Sequence, residues 1–88
     1  MNERELEKQL KALANRRRLA ILKYLKIHRE AAVSEIADAI HISLKATSKH
    51  LGMLTALDIV EREQRSLQMF YHLAIIKSSA IKHILSLL

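Results

Sequence analysis

The chain has 88 residues, enough for one small domain and too few for a second hydrophobic core. Half of the residues are hydrophobic, one is Gly and none is Pro, which excludes a disordered tail, and with only two Tyr and one Phe the core must be aliphatic. A net charge of +6 and a pI near 10.0 point to a polyanion as partner, nucleic acid first and an anionic membrane surface second, while the lack of Cys excludes disulfides, thiolate metal ligands and thiol redox sensing.

From Glu3 to Leu13 the apolar residues Leu6, Leu10 and Leu13 recur at helical spacing, and Glu7 precedes Lys11 by four residues, which predicts a first amphipathic helix. Asn15 is placed to cap a second helix in which Ile21, Leu22 and Leu25 share a face, ending near Ile27 where His28-Arg29-Glu30 turns polar. A short extended piece follows at Ala31 to Val33. Ser34 as N-cap, with Glu35 and Asp38 in the first turn where the helix dipole favours negative charge, predicts a short third helix ending near His41, with Ile36, Ala37 and Ile40 as its apolar face. Ser43 caps again a few residues on, and Leu44, Thr47, Leu51 and Leu54 form a buried stripe along a fourth helix from Leu44 to Leu57. Two capped helices joined so tightly are the pattern of a helix-turn-helix.

After Ile59 the period changes. Ile59 to Glu63 and Leu67 to Leu73 are rich in strand formers and flank the polar Gln64-Arg65-Ser66, which predicts a β-hairpin, although its tip lacks the Gly or Asn-Gly that tight turns prefer. A last helix, at about 75–88, carries Ala80, Ile81, Ile84, Leu85 and Leu88 on one side. The expected fold is mainly α with a small β-hairpin (α+β): a single winged helix-turn-helix domain over residues 1–88.

Charge is unevenly placed. Seven basic residues and no acid lie between Lys11 and Arg29, and no acid follows Glu63. With its stripe turned inward, the fourth helix presents Lys45, Lys49, Gly52 and Ala56 outward, with Ala46 and Ser48 at the edges. Small side chains let a helix approach the floor of the major groove, and Lys supplies phosphate or guanine contacts. His50 lies near the inward edge, so packing and DNA contact are both open to it. Arg16 and Arg17, in the first turn of the second helix, are disfavoured by its dipole and would be compensated by a phosphate. Arg18, on the face of Leu22 and Leu25, is expected to form a structural ion pair. Arg62, Gln64, Arg65 and Gln68 concentrate polar groups at the hairpin tip, where a wing or an ordinary solvated turn would look alike.

Five His residues show no ligand spacing, and there is no Gly-rich phosphate loop, nucleophile motif or acidic cluster. No metal, cofactor or enzymatic activity is expected. No apolar run nears the roughly 20 residues that span a bilayer and Met1 to Glu5 is charged, so a cytoplasmic, nucleoid-associated protein without a membrane partner is expected.

In this order the residues resemble the ArsR-type family of bacterial and archaeal winged-helix repressors. Leu13-Ala14-Asn15-Arg16-Arg17-Arg18-Leu19-Ala20-Ile21-Leu22 is similar to the family's L-A-D-P-T-R-L-x-I-L. Ser34-Glu35-Ile36-Ala37 through Ile42-Ser43-Leu44-Lys45-Ala46-Thr47-Ser48-Lys49-His50-Leu51 resembles E-L-A … L-S-x-x-T-V-S-x-H-L, and Leu57-Asp58-Ile59-Val60 stands where the family has A-G-L-V. The resemblance implies that Ser43, Lys45, Ala46, Ser48, Lys49 and His50 face double-stranded DNA. It also implies that the first and last helices pair across a homodimer through Leu6, Leu10, Leu13, Ile81, Ile84, Leu85 and Leu88. The chain departs from the family at the Cys-Val-Cys metal motif, where it has Ala32-Val33-Ser34, and at two glycines, where it has Asp58 and Ser66. The leading expectation is a sequence-specific regulator acting as a repressor on a palindromic operator, its effector unassigned. A nonspecific architectural DNA binder and a protein-interaction module are the alternatives.

Overall fold

Five helices and three short strands follow one another as α1 (Glu3–Leu13), α2 (Arg16–His28), β1 (Glu30–Ala32), α3 (Val33–Ile40), α4 (Leu44–Ala56), β2 (Val60–Arg65), β3 (Gln68–Leu73) and α5 (Ser79–Ser86). A computed structural model describes residues 2–88. Helix starts follow local chemistry. The Asn2 and Asn15 carboxamides accept backbone N–H groups at the heads of α1 and α2, and the Ser43 and Ser78 hydroxyls do so for α4 and α5. Ser34 does not cap α3. That helix begins two residues earlier than a Ser34 cap would place it, at Val33, with Ala32 at the cap position and no side-chain hydrogen bond there. The last helix is shorter than its apolar pattern suggests, because Ser78 starts it and 74–78 remain irregular.

Helix α2 is the central post, touching α1, α3, α4 and β3. Its Ile21, Leu22 and Leu25 meet Ile36 of α3, Leu51 and Leu54 of α4, Ile59, Val60 and Ile81 in one core, all at most 1% exposed. Each such aliphatic side chain contributes about 1.5–3 kcal/mol by leaving water. Thr47 is buried among them, and its hydroxyl is satisfied by the Ser43 carbonyl at 2.8 Å.

The strands form one antiparallel sheet in the order β1-β3-β2, with Ala31 opposite Tyr71, Val60 opposite Leu73 and Arg65 opposite Gln68. That register corrects the hairpin tip. The strands run on through Gln64 and Arg65, and the turn is Ser66-Leu67, with Ser66 at φ 57° and Leu67 97% exposed. A two-residue loop needs a positive φ to match strand twist, so the Ser accepts a conformation that Gly would adopt without strain. Asp58, in the α4-to-β2 turn, does the same at φ 58°. The two positions that lack the family's glycines thus keep the backbone those glycines would favour.

Candidate nucleic-acid interface

Helices α3 and α4 are joined by His41, Ile42 and Ser43. His41 adopts the left-handed conformation (φ 60°, ψ 46°), and the Ile42 N–H reaches back to the Ala37 carbonyl at 3.2 Å, which ends α3 and turns the chain. Ser43 then starts α4: its Oγ accepts the Ala46 N–H at 3.0 Å and its carbonyl accepts the Thr47 N–H at 3.0 Å. The Ser43 hydroxyl proton stays free to donate outward. Thr47, Leu51 and Leu54 anchor the inner face of α4, while Lys45, Ser48, Lys49 and Gly52 are exposed and Ala46 is half-buried. No acidic side chain lies on this helix.

Leu44 departs from its expected place in the buried stripe. It is 55% exposed, because the first turn of α4 runs beyond the edge of the core that its periodicity points to. His50 sits at the other edge, half-buried, and its Nδ1 lies 3.2 Å from Nη1 of Arg18. Guanidinium can only donate, so Nδ1 accepts and the neutral ring carries its proton on Nε2. Burial, then the Arg18, Arg17 and Lys49 charges, hold the imidazole below its usual pKa.

Arg18 is buried but meets no carboxylate, contrary to the expected ion pair. It donates through Nε to the Ala12 carbonyl, through Nη2 to the Lys11 carbonyl at 3.3 Å and through Nη1 to His50 and to Met53 Sδ at 3.4 Å. The negative end of α1 stands in for the acid. Arg16 and Arg17 are exposed at the head of α2, but Asn15 Oδ1 already accepts the Arg17 and Arg18 N–H groups at 3.0 Å, so their side chains, more than the helix amides, are free for an anion.

Strand alternation divides the hairpin residues by face. Arg62 and Gln64 lie opposite Tyr71 and Met69, on the face that packs on the core, and project past it into solvent. Arg65 and Gln68 lie on the other face with Glu30, Glu61 and Glu63. There Arg65 forks onto Glu30, with one contact at 3.1 Å, bonds Glu63 at 2.9 Å and stacks over Phe70 at 4.9 Å. These hydrogen bonds push the Arg65 pKa up and the Glu30 pKa down. The free cation expected at Arg65 is therefore already neutralised, and this face of the wing is acidic.

The expected dimer residues also separate. Leu13, Ile81 and Leu85 are consumed by the protomer's own core, since α1 and α5 both lean on it. Leu6, Ile84 and Leu88 are half-buried, Leu10 is 44% exposed, and Leu87, absent from the expected set, is 72% exposed. Leu6, Leu10 and Ala14, with Glu3, Glu7 and Lys11, line a shallow, mostly apolar groove along α1. Among the described residues no three His, Asp or Glu side chains converge as a metal site, and no helix is long and apolar enough to cross a membrane.

A capped helix-turn-helix followed by a β-hairpin wing defines a winged helix-turn-helix DNA-binding regulator. A family model described as a helix-turn-helix domain matches residues 13–63. Among solved structures, reduced HlyU of Vibrio cholerae is 32% identical over 98% of this chain and 86% of that one, with a TM-score of 0.81. The homodimeric winged helix-turn-helix DNA-binding domain of a possible ArsR-family transcriptional regulator from Mycobacterium bovis is 31% identical over 96% and 74%, at a TM-score of 0.79. The transcriptional repressor BigR of Xylella fastidiosa is 28% identical over 96% and 83%, at 0.78. No curated protein sequence matches. The chain belongs to the ArsR-type family of winged helix-turn-helix transcriptional regulators.

Proposed function

We propose that the protein is a transcriptional repressor that binds a two-fold-symmetric operator as a homodimer, the whole chain acting as one domain in the nucleoid. The observation that carries this reading is the free face of α4, where Lys45, Ser48 and Lys49 stand exposed beside Gly52 on a helix fixed to the core by Thr47, Leu51 and Leu54. Ser43, Lys45, Ala46, Ser48 and Lys49 enter the major groove, Arg16 and Arg17 hold flanking phosphates, and Arg62 and Gln64 follow the backbone beside the wing. His50 acts from behind, bonded to Arg18. Leu6 and Leu10 of α1 pair with the last helix of a second copy, at Ile84 of α5 and at Leu88 just beyond its end, which covers apolar surface the protomer leaves open. Dimerisation of the Mycobacterium bovis relative supports that arrangement.

Selection of bound duplexes from a random pool tests it. The expected product is an inverted repeat with half-sites about one helical turn apart, bound at about nanomolar affinity and at least about 10³-fold more tightly than random duplex. Leu10→Lys should place a charge in the dimer contact and yield a monomer by light scattering that keeps its helical content. Unenriched binding of all duplexes would instead support an architectural role, a reading favoured by the lack of Arg, Asn and Gln on α4. No binding at low salt would support a protein-interaction module.

A further inference from the structure

Resting on that reading, we propose that Leu44 selects thymine in each half-site by packing on its 5-methyl group. Leu44 is the first residue of α4 and is 55% exposed although it is a large aliphatic side chain. Core contact begins one turn later at Thr47. The Ser43 hydroxyl, bonded to the Ala46 N–H at 3.0 Å, fixes the helix start, so Leu44 is held on an ordered turn. Helical side chains lean toward the N-terminus. Leu44 therefore covers the leading end of α4, the end that a helix-turn-helix directs at base edges.

The chemistry of the groove then limits what Leu44 can meet. Of the four base edges only thymine carries an apolar group in the major groove; the others present donors and acceptors that Leu would strip of water without replacing their hydrogen bonds. Beside it the leading turns expose Lys45, Ser48 and Lys49, which are polar and do not read the methyl group, and the one other apolar side chain there, Ala46, is half-buried. Leu44 supplies discrimination that the cationic side chains lack. It attracts one base and penalises three.

The probe is the duplex enriched from a random pool by the wild-type protein, remade with deoxyuridine replacing thymidine one position at a time. Deoxyuridine pairs as thymidine does and lacks only the methyl. One position per half-site should weaken wild-type binding about fourfold, the effect of burying a single methyl group. Leu44→Ala should bind the thymidine and deoxyuridine duplexes equally at that position, with an unchanged thermal midpoint because the site is exposed and Ala favours helix. Leu44→Gln should shift selection there from thymine toward adenine, which Gln reads through N6 and N7. Indifference of the wild type to every replacement overturns the proposal, as does equal sensitivity of wild type and Leu44→Ala. A wild-type protein that enriches no sequence overturns the operator-binding reading itself and this inference with it.

Discussion

Replacing Arg18 with Ala should cost about 3 kcal/mol of folding stability, and the figure follows from the C-terminus of α1. A helix leaves its last four carbonyls without intrahelical donors. Here those of Leu10 and Leu13 are taken by the N–H groups of Ala14 and Asn15, each at 2.8 Å. Those of Lys11 and Ala12 are taken by Arg18, which also donates to His50. Hydrogen bonds from a charged group contribute about 1.5–3 kcal/mol each. The long contact to Lys11 falls at the low end, and water will re-solvate part of the opened site, which brings the sum to about 3 kcal/mol. For a domain of this size that is a fall in Tm of roughly 12–24 °C. Urea melts of wild type, Arg18→Ala and Arg18→Lys provide the measurement, with Lys expected to recover less than half of the loss because it cannot fork across two carbonyls. A loss below about 1 kcal/mol in Arg18→Ala would refute the reasoning, since water would then be serving those carbonyls as well as the guanidinium does.

Three further outcomes follow from particular sites. His50 has its pKa lowered in the folded chain from 6.5, so the unfolded chain binds the proton first as pH falls. The stability gained by keeping the ring neutral is complete above about pH 6.5 and is lost as pH falls from there through the lower folded value. The difference in urea-melt stability between wild type and His50→Gln should therefore shrink on acidification, and a difference that grows would contradict the assigned Arg18-to-His50 bond. A methyl added at Gly52 meets nothing within 4 Å, so Gly52→Ala should raise stability by about 1 kcal/mol; a loss in urea melts would show that α4 is constrained there. Arg29 ends α2 at φ 70° and ψ −46°, a strained combination, whereas His41 is in the ordinary left-handed region. Arg29→Gly should raise the thermal midpoint more than His41→Gly does, and the reverse order would refute the strain argument.

Much of the fold was legible because its signals are local. Asn15 and Ser43 precede apolar-periodic runs as capping residues do, and both side chains accept the expected amides. The change from helical to strand-rich sequence near Ile59 likewise located the hairpin. What periodicity cannot report is how far the covering layer extends. It placed Leu44 on the stripe of Thr47 and Leu51, but the core stops short of the first turn. Nor does an apolar stripe say whether its cover comes from the same chain: the resemblance implies a subunit contact for Leu13, Ile81 and Leu85, and all three are buried in this chain's own core. Arg18 was legible as inward-facing, while its partners were not, because backbone carbonyls carry no sequence signal. Arg65 had one readable neighbour, Glu63 two residues back on the same strand face. Glu30 reaches it only through pairing of β1 with β3.

The cationic face of α4 is tested most directly by titrating the selected duplex with wild type and with Lys45→Ala/Lys49→Ala across a salt series. A dimer loses four groove-facing positive charges in that variant, and each that neutralises a phosphate contributes about 0.9 to the slope of log K against log salt. The account predicts a slope shallower by about three to four units, much weaker binding at low salt and an unchanged circular dichroism spectrum. An unchanged slope and affinity would place the DNA contact on another surface and contradict it.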